Sequence, residues 1–198
     1  MKLRLLLAAA LALSACKKDP PSPDAPKAPK GLTVGLVTDV GGRGDQSFND
    51  SALRGLELWA ANQKSVDGKY VAITADERKA SLIPELEARI VPLGIKPIVV
   101  QSKAQEDYQP NLQLLVDQGA DLTVGTGFML ENALETVAKQ NPGSKFLLID
   151  SPIMDAKGVP QVVPNVRTVV FREEEGSFLV GALAGLVEIG RASCRERV

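Results

Sequence analysis

Short apolar runs alternate with segments of helical periodicity along most of the chain from residue 32. Five runs are rich in β-branched and aliphatic residues and are bounded by glycine, proline or polar residues, which is typical of buried strands. They span residues 33–38, 97–101, 122–125, 145–150 and 166–171. The intervening segments predict helices after Ser47, over 108–118, over 130–140 and from about Glu173. We therefore expect an α/β domain whose parallel strands form a doubly wound sheet with right-handed crossovers.

The first strand leads into a glycine-rich loop and then a helix. The three glycines within residues 39–45 can adopt the positive φ angles that a tight strand-to-helix turn requires. Ser47, followed three residues later by Asp50, predicts a capping box at the start of the helix. The apolar face of this helix is formed by Ala52, Leu53, Leu56, Trp59 and Ala60. In an open parallel sheet, the loop would lie at the carboxyl end of its strand, where ligands bind.

This loop is not a phosphate-binding fingerprint. Its glycines do not fit G-x-G-x-x-G, and the chain contains no G-x-x-x-x-G-K-[ST] motif. The loop presents side chains instead, namely those of Asp39, Asp45, Ser47, Phe48 and Asn49. A structural interpretation is also open, in which Ser47 caps the helix, Phe48 packs on the turn and Asp45 is solvated.

A second loop is expected beside the first. If the strand order is flavodoxin-like, 2-1-3-4-5, the sheet has its switch point between the first and third strands. The glycine-rich loop follows the first strand, and Gly125-Thr126-Gly127-Phe128 follows the third. Both loops would then border one crevice, where Gly127 lets a ligand approach the backbone. Phe128 would either contact that ligand or pack behind the third strand.

The first 16 residues predict a lipoprotein signal peptide. Lys2 and Arg4 form a positive n-region, and residues 5–13 form an apolar h-region that is too short to span a bilayer. Leu13-Ser14-Ala15-Cys16 resembles a bacterial lipobox, in which Cys16 receives a lipid; an ordinary signal peptide is the alternative. Each buried methylene contributes about 0.8 kcal/mol, so several acyl chains would hold the protein at a membrane. Residues 17–31 contain five prolines and predict a disordered tether.

Composition narrows the possible functions. The 198 residues are 44% hydrophobic and carry a formal net charge of −1, so the chain can form a core but has no basic surplus for nucleic acid. The chain contains no histidine. Because histidine is the commonest general base and metal ligand, its absence disfavours a hydrolase or a metalloenzyme. We expect no catalytic residue, metal or cofactor.

The glycine-rich loop also resembles the signature of a known family. Asp39-x-Gly-Gly-x-x-Asp45-x-Ser47-Phe48-Asn49, followed by Gly55, is similar to the start of basic membrane protein family lipoproteins. These are the purine-nucleoside-binding, PnrA-like substrate receptors of ABC importers. Further segments similar to that family, in the same order, are residues 102–112, 125–128 and 171–181. The resemblance extends over residues 32–187.

The resemblance implies a type I periplasmic binding protein fold, in which two lobes joined by a hinge close on a ligand. Residues 32–171 would form the first lobe, and residues 172–187 would begin the second. Residues 65–93 are expected to be an insertion on the surface, with an extended piece at 70–74. A helix is predicted there by Leu82, Ile83, Leu86, Ile90 and Val91. Residues 188–198 resemble a translated sequencing adapter and are expected to be an artefactual tail; a genuine short tail is the alternative.

The function that the resemblance implies is binding rather than catalysis. Phe48 would stack on the base of a purine nucleoside, and Asp39 and Asn49 would bond its polar edges. The other expected ligand-binding residues are Ser47, Gly127, Phe128 and Asn132, the last standing where the family carries an aspartate. The implied partners are the nucleoside, the ABC permease and ATPase subunits, and a membrane reached through Cys16. The implied location is the bacterial cell envelope, at the plasma membrane or at the outer membrane facing the periplasm.

Other functions remain open at this point. The same fold could bind a sugar or another small metabolite. A flavodoxin-like enzyme or signalling domain could use Asp39 and Asp45 as acid/base groups or metal ligands. The third strand ends in Gly-Thr-Gly-Phe, which offers no acidic or nucleophilic partner and weakens the enzyme hypothesis. Arg43-Gly44-Asp45 matches an adhesion tripeptide, but matches of three letters are common by chance.

Overall fold

The computed structural model describes residues 31–82 and 89–186. The signal peptide, Cys16, nearly all of the tether and the C-terminal tail lie outside the described residues. Residues 83–88, which make up most of the helix predicted in the insertion, also lie outside them. Within the described ranges, no helix is both long and apolar enough to cross a bilayer.

A five-stranded parallel sheet forms the centre of the domain. Its strands are β1 (Thr33–Thr38), β4 (Lys96–Gln101), β5 (Leu122–Thr126), β6 (Phe146–Ile149) and β7 (Val166–Val169). They are ordered β4-β1-β5-β6-β7. Counting only these five strands along the chain, the order is 2-1-3-4-5, so the predicted doubly wound topology is confirmed. A separate antiparallel hairpin is formed by β2 (Gln63–Val66) and β3 (Lys69–Ala72).

Helices cover both faces of the sheet. They are α1 (Phe48–Leu53), α2 (Ala75–Ser81), α3 (Tyr108–Asp117), α4 (Glu131–Gln140) and α5 (Glu173–Leu186). Helix α1 continues directly into a π-helical segment, Arg54–Ala61, and short 3-10 turns precede α3 and α4. The four helices predicted outside the insertion are therefore confirmed, with the π-helical segment as an unpredicted feature.

Two glycines in the central strands allow one pair of helices to pack close to the sheet. A Cβ atom on Gly35 of β1 would lie 2.7 Å from Leu115 Cδ1 of α3, and one on Gly125 of β5 would lie 2.9 Å from Leu134 Cδ1 of α4. Both distances are shorter than a van der Waals contact, so a larger residue would force these packed leucine side chains to shift. The larger core cluster, which includes Leu112, Leu115, Leu134 and Phe146, lies on this face. Helix α1 and the π-helical segment cover the opposite face.

The predicted insertion is tied to the rest of the domain. Strand β3 confirms its extended piece, and a capping box between Thr74 and Glu77 begins α2. The guanidinium group of Arg78 donates hydrogen bonds to the carbonyl oxygens of Leu58 (2.8 Å) and Trp59 (2.9 Å) in the π-helical segment. These hydrogen bonds attach the region to the π-helical segment of the domain.

Helix α5 carries large apolar side chains that are exposed. Phe178 is 74% exposed, Leu179 67% and Leu186 82%, and Val180 and Leu183 are similar. A helix that is apolar around its circumference is normally buried against other structure. An exposed apolar surface of this kind favours association.

We expect the chain from residue 17 to residue 198 to self-associate through α5. Replacing Leu179 with glutamate and Leu183 with lysine should make the chain monomeric, because charges on α5 would have to lose their hydration when two chains associate. Light scattering measures the mass of the particle before and after the replacement. Leu114→Lys on α3, at a side chain that is also exposed (42%), is the control and should leave the mass unchanged. A monomeric unsubstituted chain would contradict the prediction.

Candidate functional site

The carboxyl ends of β1 and β5 lie side by side and bring the two predicted loops together. A Cβ atom on Gly127 would lie 3.3 Å from Asp39 Oδ2, so the Asp39 carboxylate rests against the Gly127 backbone. Gly127 has a φ of +98°, a backbone conformation that residues other than glycine rarely adopt. The two predicted loops therefore lie next to each other, as expected from the strand order. That they border one ligand-binding crevice stays a prediction.

Asp39 has one carboxylate oxygen fixed by the loop and the other directed toward Gly127. Its Oδ1 accepts hydrogen bonds from the backbone N–H of Gly41 and from Asn49 Nδ2, each at 2.7 Å. Among the described residues, no hydrogen bond reaches its Oδ2. Asp39 is half-buried. The side chain is therefore pre-oriented and keeps one charged acceptor for an incoming donor.

The carboxylate of Asp45, rather than the hydroxyl of Ser47, caps α1. Asp45 Oδ1 accepts from the backbone N–H groups of Ser47 (2.9 Å) and Asp50 (3.0 Å), and Oδ2 accepts from that of Asn49 (3.0 Å). The Ser47 hydroxyl makes no capping bond. The predicted capping box between Ser47 and Asp50 is therefore wrong. Asp45 is partly exposed, and its carboxylate also caps the helix. Gln46, with a φ of +53°, places the chain reversal between Asp45 and Ser47.

Asn49 holds both loop carboxylates and is itself buried (1% exposed). Its Nδ2 donates to Asp39 Oδ1 (2.7 Å) and Asp45 Oδ2 (3.0 Å), and its Oδ1 accepts from the backbone N–H of Asp39 (3.2 Å). Both amide protons are thereby used. In this structure, the side chain organises the loop and does not present a free donor to the crevice.

Two aromatic rings meet beside this loop. The centroids of Phe48 and Phe171 are 6.0 Å apart, with the ring planes tilted by 49°. Both side chains are about half exposed (43% and 48%). An open cavity of about 340 Å³ is lined by Ser47, Phe48, Ser51, Phe171 and Glu173. Its size suits a small molecule, and its aromatic wall suits a flat ring.

Phe128 and Asn132 do not line that cavity. Phe128 is 65% exposed, so core packing behind the third strand, the alternative considered for it, is wrong. Asn132 is exposed near the start of α4, and its backbone carbonyl accepts a hydrogen bond from the Thr136 hydroxyl (2.8 Å). Both follow β5 at the carboxyl edge of the sheet, on the Gly127 side of the crevice.

Three residues near the crevice were not predicted. Tyr108 is buried, and its hydroxyl accepts a hydrogen bond from the Val40 N–H (3.4 Å). Asp150 directly follows β6 and has a φ of +76°, and its pKa is raised by burial and then by Glu173. Phe171 lies within a segment that resembles the lipoprotein family, which was its only signal in the sequence. Tyr108 lies within residues 102–112, which also resemble that family. Asp150 gave no signal.

The chemistry of this edge is that of a binding site. It offers carboxylates, a hydroxyl group and aromatic rings. Among the described residues, no group of three or more histidine, cysteine, aspartate or glutamate side chains could hold a metal ion. A larger cavity of about 440 Å³ lies at the amino ends of β5 and β6, lined by Leu122, Phe146 and Arg167 among others. Ligands of open parallel sheets bind at the carboxyl ends, so the smaller cavity is the candidate site.

Comparison with known proteins agrees with this fold and identifies a family. Residues 32–189 match the family model of PnrA-like ABC transporter substrate-binding proteins. The chain is 32% identical over 191 residues to a CD4+ T-cell-stimulating antigen of Listeria monocytogenes, covering 94% of this chain and 44% of that protein. It is 29% identical over 190 residues to the ABC transporter nucleoside-binding protein BmpA of Lactococcus lactis, covering 93% and 45%.

A solved structure of an ABC transporter solute-binding protein is also similar to this chain. An ABC transporter solute-binding protein from Aeropyrum pernix K1 superposes with a TM-score of 0.54 at 27% identity, covering 84% of this chain and 35% of that one. The chain thus spans less than half the length of these curated relatives. Because the family model covers most of the sequence, the chain belongs to the family of PnrA-like ABC transporter substrate-binding proteins.

Proposed function

We propose that the chain is the ligand-binding first lobe of a lipid-anchored receptor that captures a purine nucleoside for an ABC importer. The observation that carries the proposal is the cavity walled by Phe48 and Phe171 on the loop that also fixes Asp39. Membership of a substrate-binding family supports a role in binding rather than catalysis. The similarity to BmpA of Lactococcus lactis, which is named a nucleoside-binding protein, supports a nucleoside as the ligand.

The site fits the two parts of a nucleoside. A base needs an aromatic face, and stacking on Phe48 would contribute about 1–3 kcal/mol by analogy with base–aromatic contacts elsewhere. The sugar hydroxyls and the exocyclic amino groups are donors, and Asp39 Oδ2 is an acceptor without a partner in the described chain. Gly127, next to that oxygen, leaves room for the ligand. Ser47, Phe128 and Asn132 would contact the ligand from the rim, and Asn49 would act through Asp39.

A second lobe would complete the site. The matched relatives are more than twice as long as the aligned region, and α5 leaves the sheet with apolar side chains exposed. Phe171 and Glu173 lie where the chain passes from β7 into α5. In our proposal this segment is part of the hinge, and the second lobe covers α5 and closes on the ligand. Binding to the present chain alone should accordingly be weak.

The proposal includes a lipid anchor and transporter partners. Cys16 would carry the lipid, and residues 17–31 would keep the domain clear of the membrane. The location would be the cell envelope, where the receptor delivers its ligand to the permease and ATPase subunits. These assignments rest on the lipobox and on the family.

The test is a titration of the full chain, labelled with ¹⁵N, with adenosine, guanosine, inosine, ribose and free adenine. Purine nucleosides should shift the amide signals of Phe48 and Gly127, and ribose should shift them much less at equal concentration. The nucleoside should be recovered unchanged. Saturation by ribose with no response to nucleosides would favour a sugar receptor, and cleavage of the nucleoside would favour an enzyme.

A further inference from the structure

A buried carboxylate joins the glycine-rich loop to the hairpin. Glu57, in the π-helical segment, is 4% exposed. Its Oε2 accepts a hydrogen bond from one terminal nitrogen of Arg43 (3.0 Å), and its Oε1 accepts from the other (2.6 Å). The Tyr70 hydroxyl donates to the same Oε1 (2.8 Å). One side chain thus links residues from the loop, the helix and β3.

The Arg43 end of this link is part of the loop that carries Asp39 and Phe48. The backbone N–H of Arg43 donates to Gln101 Oε1 (3.0 Å) at the end of β4. The next residue, Gly44, donates its N–H to Asp50 Oδ1 (2.8 Å). Holding the Arg43 side chain therefore also restrains the backbone between Asp39 and α1.

Tyr70 lies in the β2–β3 hairpin, and hydrogen bonds attach this hairpin to the π-helical segment and the residue after it. The N–H of Ile73 donates to the carbonyl of Asn62 (3.2 Å), directly after the π-helical segment. Arg78, just beyond the hairpin, bonds the last turn of that segment. π-Helical turns within helices are frequent at functional sites. Here the segment carries Glu57 at the point where loop and hairpin meet.

The hydrogen bonds of Glu57 with Arg43 and Tyr70 are of a kind that restrains both partners. A buried carboxylate is costly unless it is paired and hydrogen-bonded, so Glu57 favours conformations in which both partners are in place. The bidentate Arg43 contact fixes orientation as well as distance. Burial, followed by the hydrogen bond to Glu57, raises the pKa of Tyr70, which is consistent with a hydroxyl that donates to a carboxylate. The hydrogen bond to Glu57 raises the pKa of Arg43.

We propose that the β2–β3 hairpin positions the ligand-binding loop, with Tyr70 and Arg43 acting through the carboxylate of Glu57. Tyr70 is a positioning residue, and its hydroxyl is committed to Glu57. Its effect on ligand affinity rests on the proposed function. The effect on the loop itself can be measured without any ligand.

The first measurement is amide hydrogen exchange in the ligand-free full chain. Tyr70→Phe removes one hydroxyl and keeps the ring, so the fold should persist. We expect the amides of Arg43 and Gly44 to exchange about tenfold faster, as for loss of a hydrogen bond to a charged group. The control is Ser65→Ala, which removes a hairpin hydroxyl that has no hydrogen bond in the described chain. Unchanged exchange in Tyr70→Phe would overturn the proposal.

The second measurement separates positioning from general stability. Val137→Ala, in the core on the opposite face, should lower the melting temperature and leave exchange at Arg43 and the affinity for adenosine unchanged. Tyr70→Phe should weaken adenosine binding several-fold with a smaller change in melting temperature. Equal exchange in Tyr70→Phe and Val137→Ala would overturn the proposal. If the unsubstituted chain binds no nucleoside while Tyr70→Phe still loosens the loop, the proposed function fails and the positioning role stands.

Discussion

Replacing Asp45 with alanine is expected to lower the free energy of unfolding by about 2 kcal/mol. Its carboxylate accepts hydrogen bonds from the backbone N–H groups of Ser47, Asn49 and Asp50 and from the Asn49 amide. Alanine would leave the start of α1 uncapped and would free one end of Asn49, which also holds Asp39. Urea unfolding at pH 7 measures the loss as a lower midpoint with an unchanged slope.

The pH dependence of the same variant is a second check. Burial acts to raise the pKa of Asp45, but the hydrogen bonds from Ser47, Asp50 and Asn49 outweigh it and hold the pKa below its usual value. A carboxyl group with a lowered pKa in the folded state stabilises the protein above the unfolded-state pKa of about 4. That contribution is lost as the pH falls through the lowered value. The difference in stability between the two proteins should therefore shrink below about pH 4.

Two controls make the result specific to the cap. Asp45→Asn keeps one acceptor oxygen and should restore part of the stability at pH 7. Asp76→Ala removes an exposed carboxylate with no hydrogen bond in the described chain and should change stability by no more than about 0.5 kcal/mol. An Asp45→Ala protein as stable as the unsubstituted one would show that water replaces the carboxylate at no cost.

The sheet could be predicted from the sequence because its central strands, β1 and β5, are buried on both faces. Strands of that kind are continuous apolar runs, and the run at residues 33–38 matches β1 at both ends. The alternation of strand and helix limited the strand order to a few doubly wound topologies, and the flavodoxin-like order was the hypothesis that the structure bears out. The approach of Asp39 to Gly127 followed in turn, because both lie directly after adjacent strands.

The helix cap could not be predicted from the same rules. Ser47-x-x-Asp50 and Asp45 both offer an acceptor at suitable spacing, and the sequence favoured the serine. The left-handed conformation of Gln46 decides between them, since it turns the chain so that the Asp45 carboxylate faces three N–H groups. Glutamine rarely adopts that conformation, so no residue type signalled it.

Contacts between residues that are far apart in the sequence could not be predicted either. Phe48 and Phe171 meet only because β7 ends at the same edge of the sheet as β1. The Arg43–Glu57–Tyr70 contacts depend on the π-helical segment, which helical periodicity does not reveal. Periodicity tells which face of an element is buried, but it does not identify the residue that a polar side chain meets across the fold.

Removing the ring of Phe48 should have the largest effect on binding. Phe48→Ala is expected to weaken adenosine binding by about tenfold to a hundredfold, the range expected for loss of one stacking contact. Its effect on stability should be small, because the side chain is 43% exposed. Titration of the variant and of the unsubstituted full chain with adenosine, followed by calorimetry or by the Gly127 amide signal, measures the change.

The matched control is Phe128→Ala, which removes an equally large ring that is 65% exposed and lies outside the cavity. It should weaken binding less than Phe48→Ala, and Phe48→Tyr should retain most of the affinity because it keeps an aromatic face. The reverse order, with Phe128→Ala abolishing binding and Phe48→Ala harmless, would move the base to the β5 side of the crevice. The cavity beside Phe171 would then not be where the ligand is recognised, because stacking on Phe48 is what distinguishes that cavity from the rest of the edge.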